Sequence, residues 1–443
     1  VSSRQDTVVT EKASGARNPV SILGVWLTTL AAFAFIAYYA VDAFGLLAAS
    51  PYAGIFGFLC LPVVFVLGLL LIPIGIWRED RRRRRGLAPW MWPVLDLRAS
   101  RTRQVVFGVL LLTLVNLTIV TVAGFGVVRY SESTQFCGQV CHTPMRPEFV
   151  GHLSPPHANV ACVECHVSPG ARGFMKAKLN GTRQLWDVIV GVYDHPIPSP
   201  ARGLPMAADT CAHCHTPGQP ARDVTRVATS YADDVTNTPS VQTLTMHVAT
   251  IHWHARPDVQ IEYVTTDPKR ETIPYVRVTD EQGRVAEYFA DGVSAPPAGE
   301  RRRMDCLDCH SRPAHTFATS ADKAANEALA AGAVSLKLPF VHREMVAALT
   351  ATYSTAAAAH TGIAAHLSAV YQRSDADVTQ AIATTTNLYD RNVFPEMHVT
   401  WGTYGSEISH IDPPGCFRCH DDTHKTRDGR AIRQDCALCH QIQ

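Results

Sequence analysis

Twelve of the thirteen cysteines in this 443-residue chain fall into six pairs, and a histidine follows the second member of each. The pairs are Cys137/Cys141-His142, Cys162/Cys165-His166, Cys211/Cys214-His215, Cys306/Cys309-His310, Cys416/Cys419-His420 and Cys436/Cys439-His440. Disulfides would explain an even count but not a recurring histidine. Zinc sites would combine pairs into fours, again without that histidine. Covalent c-type haem accounts for every feature. Two thiols add to the porphyrin vinyls, and the next residue sets an imidazole under the iron. The expectation is six covalently bound c-type haems, attached at these twelve cysteines, with the six motif histidines on the metal. The first motif is irregular, with three residues between its cysteines instead of two. Cys60, the remaining cysteine, lies in an apolar run and reads as a small buried side chain.

Six irons need up to twelve axial ligands. Twenty histidines, six of them in motifs, leave fourteen. That supply favours bis-histidine irons built for electron carriage over open sites for substrate. Position singles out six as distal ligands: His157 in "PPHANVACVECH", His252 and His254 in "TIHWHARPD", His315 in "CLDCHSRPAH", His410 in "SEISH", and His424 in "CHDDTH". His152, His195, His247 and His398 are balanced between ligand and surface roles. His213, His342, His360 and His366 read as surface residues. Spacing cannot match a distal histidine to its haem, because such ligands often come from distant segments.

The elements that must carry these groups differ along the chain. Net charge is +1, but the apolar residues crowd into the first third. Val20–Val41, Ala43–Trp77 and Gln104–Val128 lack any charge, and the middle one breaks at Ala48–Tyr52, so its span reads as about Gly54–Trp77. Each run meets the roughly 20 residues a helix needs to cross a bilayer. The arginines of "WREDRRRRRG" at 77–86 follow the second run, and Arg98, Arg101 and Arg103 precede the third. The positive-inside rule then puts the N-terminus and this loop in the cytoplasm and residue 129 onward outside, where c-type haem is attached. No histidine precedes His142, so the spans hold no ligands for a haem within the bilayer. Beyond the third motif, "VQIEYV" (259–264), "TIPYVRV" (272–278), the turn at 280–284 and "VAEYF" read as a small antiparallel sheet. Ser320–Ala331, Pro339–Arg373 and a further segment, capped by Ser374 followed by Asp377 and running to about Tyr389, read as helices.

The expected fold class is mainly α: three transmembrane helices plus an extracytoplasmic multihaem cytochrome c domain with a small β insertion. The expected segments are 1–19 (cytoplasmic), 20–128 (membrane, with an arginine-rich loop at 78–103), 129–317 (haems 1–4, sheet at about 258–290) and 318–443 (helices and haems 5–6). The expected location is the bacterial cytoplasmic membrane, multi-pass, with the haem domain on the periplasmic side.

From about Gly126 to Phe317 the chain resembles the NapC/NirT/NrfH family of membrane-anchored quinol dehydrogenases. The likeness rests on "CHTPMRPEF", "NVACVECHVSPGARGFMKAKLNGTRQLWDVIVG" and "CLDCHSRPAH". Short family members have one anchor helix and four or five haems. In the family's usual first motif two residues separate the cysteines and methionine stands two after the histidine; here both intervals are longer by one. The resemblance implies that the first haem sits at the membrane surface beside a quinol pocket. It also implies that Met145 or His142 ligates this haem, and that Lys176, Lys178, Gln184 and Asp187 occupy the segment serving the quinol. Val128 and Cys137 lie nine positions apart, a reach of at most about 30 Å, which agrees with a haem close to the bilayer. The functional expectation is quinol oxidation (menaquinol or ubiquinol) at the outer face of the membrane, with electrons passed to a periplasmic acceptor protein and other respiratory subunits as further partners. No nucleic-acid partner is expected. Two alternatives stand: a non-catalytic electron-transfer subunit of a larger complex, and a terminal multihaem reductase.

Overall fold

A computed structural model of the chain describes residues 18–43, 60–87, 97–100, 103, 104, 106–108, 111, 114, 125, 126, 128–140, 142–154, 156–199, 201, 203–216, 222–405, 407, 408, 410 and 414–442. The chain divides into two compact units, 1–128 with 169–179, and 129–168 with 180–443.

In the first unit, α1 (Pro19–Ala43) and α2 (Leu61–Arg84) pack side by side. Asn18 opens α1, its side-chain oxygen accepting from the Ser21 N–H at 2.9 Å. The buried Ser21 hydroxyl then donates to the Ile72 carbonyl of α2 at 2.8 Å. Small residues allow this approach: a Cβ on Gly24 would meet the Gly68 carbonyl at 2.6 Å. The pairing 21 with 72 and 24 with 68 shows that the helices run antiparallel. Trp26, Phe33, Leu67 and Leu70 are exposed on the pair.

The three expected transmembrane helices are corrected here. Among the described residues, no helix is long and apolar enough to cross a membrane. In the second stretch the helix Leu61–Arg84 runs without a break through Arg78, Glu79, Asp80 and Arg81–Arg84. Its described uncharged residues, 61–77, lead straight into these charged turns on the same helix. The arginines expected in a loop are its last turns, with Arg83 bound to Glu79 at 3.3 Å. Most of the third stretch, 104–128, lies outside the described residues.

The second unit carries all six haem motifs on two small sheets and a group of helices. β1 (Val224–Tyr231) and β2 (Pro239–Met246) form a hairpin, and the short β7 (His440–Ile442) joins β2, with Met246 opposite His440. The expected sheet at about 258–290 does not include this hairpin. A four-stranded antiparallel sheet has the order β5-β4-β3-β6, from β3 (Gln260–Thr265), β4 (Tyr275–Thr279), β5 (Val285–Phe289) and β6 (Glu300–Arg303). The strands read at 259–264, 272–278 and "VAEYF" fall in this sheet. Its inner face buries Ile261, Tyr263 and Val276. β6 leads directly into the fourth motif, and the Met304 N–H donates to the Ile261 carbonyl at 2.8 Å to fix that exit.

Beyond it, α5 (Ala321–Ala330), α6 (Val341–Thr350), α7 (Ala356–Tyr371) and α8 (Ala376–Asn392) bury Leu338, Met345, Ile363, Leu367 and Val378 between them. The single helix expected over 339–373 is two. Thr355 interrupts it by capping a fresh start, accepting from the Ala358 N–H at 3.1 Å. Ser320 and Asp375 cap α5 and α8 in the same way. The first motif precedes α3 (His142–His152), and α4 (Gly170–Ile189) follows the second motif.

Candidate haem sites

Each regular motif is wound into a single tight turn. The histidine N–H donates back to the carbonyl of the first cysteine at 2.8 Å for His215, 2.7 Å for His310 and 3.0 Å for His420. Cys162–His166 and Cys436–Cys439 are one-turn helices. Such a turn sets two sulfurs and an imidazole in one relation, whatever the rest of the fold. In the first motif the extra residue is taken up by a π-type turn over Phe136–Val140, a widened helical turn often found at functional sites. Cys141 and the side chain of His142 lie outside the described residues.

The cysteines expected to hold haem are not equally enclosed. Cys214 and Cys436 are exposed, whereas Cys137, Cys162, Cys165, Cys211, Cys306, Cys309, Cys416, Cys419 and Cys439 are half-buried. Cys214 departs from its neighbours because the third motif stands on a short 3-10 turn, Cys211–His213, whose residues are not buried. The Cys214 N–H donates to the Cys211 carbonyl at 3.1 Å, so its backbone is fixed in the motif turn although its side chain is open to solvent. Protein packing therefore does not mark Cys214 as a haem residue. Its place in the turn, three residues from Cys211 and next to His215, does.

The motif histidines are paired by the fold. His215 has its ring centroid 6.1 Å from His157, and His310 lies 6.3 Å from His252. His420 lies 5.9 Å from His254, His440 lies 6.1 Å from His410, and His166 lies 6.0 Å from His315. Two imidazoles bound to opposite sides of one metal, through bonds of about 2 Å, leave their centroids roughly 6 Å apart. All five separations fit an iron between the rings. His152 also stands 6.0 Å from His315, with a buried Nε2 that has no hydrogen-bond partner among the described residues.

Backbone carbonyls orient these rings. Nδ1 donates to the Pro313 carbonyl from His157 at 2.9 Å and to Ile251 from His254 at 2.8 Å. The partners are Glu148 for His315 at 2.8 Å and Arg433 for His420 at 2.9 Å. A proton held on Nδ1 leaves Nε2 as the metal-binding nitrogen. Burial pushes the imidazoles of His166, His254, His310 and His315 below their ordinary range, which keeps them in the neutral, ligating form.

His424 differs from the others singled out in the sequence. Its Nδ1 is bound to Asp421 at 2.9 Å and its Nε2 to the Ile273 carbonyl at 2.6 Å, so neither nitrogen is left for a metal. His247, His342, His360 and His366 each face a carboxylate at 2.8–2.9 Å.

The sites follow one another in chain order. The Cys162 thiol shares a hydrogen bond with Cys137, which holds it down at about 6 before any haem is attached. Cys165 and Cys306 both lie within electrostatic reach of Cys211, and Cys309 and Cys439 within that of Cys416. Motifs four and five are further locked through buried Asp308. It accepts from the Tyr263 hydroxyl at 2.6 Å, while buried Arg418, inside the fifth motif, donates to the Asp308 carbonyl at 2.5 Å. Glu148 ties α3 to the segment after the fourth motif through Arg312 at 2.5 Å.

Beside the first motif lies a cavity of about 540 Å³, lined by Gly138, Gln139, Thr143, Arg146, Phe149, Val150 and Glu396. Its charged groups are Arg146 and Glu396, 3.5 Å apart. Met145, on the same helix, is not part of the lining. Of the residues expected to serve quinol, Lys176 and Lys178 belong to the other compact unit. Gln184 and Asp187 do not line the cavity, and the Asp187 carboxylate faces Arg183 at 3.7 Å. Sequence reading missed Arg146 and Glu396. They are 250 positions apart, and only the packing of α3 on the turn Pro395–Met397 joins them.

Across 448 aligned residues the sequence is 36% identical to the cytochrome c-type protein ImcH of Geobacter sulfurreducens, covering 96% of this chain and 88% of that protein. The chain belongs to the ImcH family. No family model matches it, and no solved structure does. As a member of the ImcH family it is a multihaem c-type cytochrome that works in electron transfer. The paired histidines and cysteine turns fit that cofactor on the geometry of the chain alone.

Proposed function

We propose that this cytochrome oxidises quinol beside its first motif and passes the electrons through six haems to an acceptor protein. The observation that carries the reading is the cavity at Gly138 and Gln139, between the cysteines of the first motif. Its size falls in the range of small-molecule sites, and its mixture of apolar wall and few polar groups suits a quinol headgroup. Phe149 and Val150 offer apolar surface to the ring. Thr143 and Gln139 offer hydrogen-bond partners for its hydroxyls. Quinol oxidation releases two protons with two electrons, and Glu396 is the carboxylate in the lining that can accept a proton, with Arg146 holding it in place.

His166 with His315, His215 with His157, His310 with His252, His420 with His254, and His440 with His410 would hold five of the six irons. Haem bound at these sites supplies one-electron exchange from centre to neighbouring centre. The resemblance of residues 126–317 to the NapC/NirT/NrfH family supports a quinol donor. Covalent haem attachment supports an extracytoplasmic position at the cytoplasmic membrane, where the quinol pool is met. The test uses the purified full-length holoprotein and a reduced menaquinol analogue, with haem reduction followed optically. Rapid reduction is expected. Reduction by dithionite but not by the quinol would overturn the proposal and leave an electron-transfer subunit fed by another chain.

A further inference from the structure

We infer that His195 and His398 are the two axial ligands of one iron porphyrin, although neither belongs to a cysteine motif. Their ring centroids are 5.8 Å apart, beside 5.9–6.3 Å for the five pairs that each contain a motif histidine. Those five pairs are an internal standard. Where other non-motif histidines pair with a carboxylate, as His247, His342, His360 and His366 do, His195 and His398 have each other.

Both rings are held by well-defined backbone. His398 follows the turn Pro395–Met397 with φ of 54°, and the Phe394 N–H donates to the Val399 carbonyl at 2.8 Å across it. A left-handed backbone at a residue other than glycine is costly, and such conformations gather at functional sites. The His195 ring lies 4.4 Å from that of Tyr193, and the Tyr404 hydroxyl ties this segment down through the Ile197 carbonyl at 3.1 Å. Phe394, Met397, Val399 and Tyr404, with Tyr193 and Ile197 against them, make an apolar cluster beside the two rings.

The coordination number selects the ligand class. Among the described residues, no group of three or more His, Cys, Asp or Glu side chains gathers anywhere that could hold a metal ion. A bare zinc ion would want four protein ligands. Two imidazoles about 6 Å apart instead leave four equatorial positions for a macrocycle to fill. The porphyrin has two sources, one tethered by Cys137 and Cys141, or one held without thioethers. Val150 touches both the apolar cluster and the first-motif cavity, and Glu396 is two residues from His398, so either source is sterically local. The inference rests on the haem reading of the other five pairs and is independent of quinol oxidation.

The test uses full-length holoprotein and counts low-spin bis-imidazole centres by low-temperature magnetic circular dichroism and electron paramagnetic resonance. Six are expected in the wild type, five from the motif pairs and one from this pair. His195→Ala and His398→Ala should each lose one centre, the same one, with one high-spin iron gained and low-spin character restored by added imidazole. Acid extraction then separates the sources: one extractable haem per chain means a porphyrin without thioethers, and none means the first motif supplies it. An unchanged low-spin count in either variant overturns the inference. So does the loss of different centres in the two variants. Should the variants fail to fold, five or fewer bis-imidazole centres in the wild type overturns it by itself, and six supports it.

Discussion

Gly138 is the residue through which the irregular first motif is most open to attack. It is buried in the π-type turn between Cys137 and Cys141, and a Cβ there would run into the Phe149 ring, with Cγ at 2.6 Å. Gly138→Ala therefore overpacks the contact between the turn and α3. Overpacking of this kind costs about 1–3 kcal/mol. At about 1.4 kcal/mol per tenfold change, local opening of the turn should rise roughly 5- to 150-fold. Amide exchange over residues 136–149 reads that opening directly, and quinol-driven haem reduction should slow in parallel because Phe149 lines the cavity. Adding Phe149→Ala removes the obstacle, so the double variant should regain most of the exchange protection at the turn. Exchange that does not change in Gly138→Ala, or that the second substitution leaves elevated, would refute the steric account of how the extra residue is housed.

Glu396→Gln should slow haem reduction by quinol about 100-fold or more, the scale of a lost proton acceptor, while dithionite reduction stays as it was; equal rates with quinol would remove Glu396 from the chemistry. Tyr263→Phe takes away the buried hydrogen bond to Asp308 at 2.6 Å, and denaturant titration of the holoprotein should show a loss of about 1.5–3 kcal/mol. A loss under about 0.5 kcal/mol would mean that Arg270 and Arg302, 3.5 and 3.6 Å from the Asp308 carboxylate, hold it unaided. The Asp267 carboxyl lies below its ordinary value: burial would raise it, but the Thr272 and Glu271 N–H groups that it accepts from outweigh that. A lowered value means its contribution is complete above the unfolded carboxylate range near pH 4 and fades as pH falls through the lower folded value. Amide protection over 267–272 should weaken on that descent in the wild type. The same acid dependence in Asp267→Ala would assign the effect to another group.

What the sequence discloses here depends on how local each device is. A motif turn is complete within five or six residues, so cysteine spacing alone reveals it, even at Cys214, where burial gives no hint. A distal ligand is legible only when it stands near a motif, and that cue cuts both ways. His157 and His315 face motif rings, while His424, equally close to a motif, is tied to Asp421 and the Ile273 carbonyl. His195 and His398 stand only balanced between ligand and surface roles in the sequence, since about two hundred residues separate them and neither adjoins a motif. The apolar runs misled for a different reason. Counting uncharged residues ignores where a helix ends, and α2 continues into the arginines. The β1–β2 hairpin escaped notice because most of its residues face solvent, so alternation of apolar and polar side chains is weak.

The in-order succession of motif sites has a consequence for how such chains change over time. Each cysteine turn adjoins the one before it and the one after it, so the path needs no re-threading when a station is added at the end. The sixth motif is held by three residues of β7 against β2, by the Cys439 carbonyl, which accepts from the His247 N–H at 2.8 Å, and by the His440 ring, 6.1 Å from that of His410. A station held through its own turn and a neighbouring strand can be gained or shed while the others keep their spacing. Chains built on this plan can share one order of stations and differ in how many they carry.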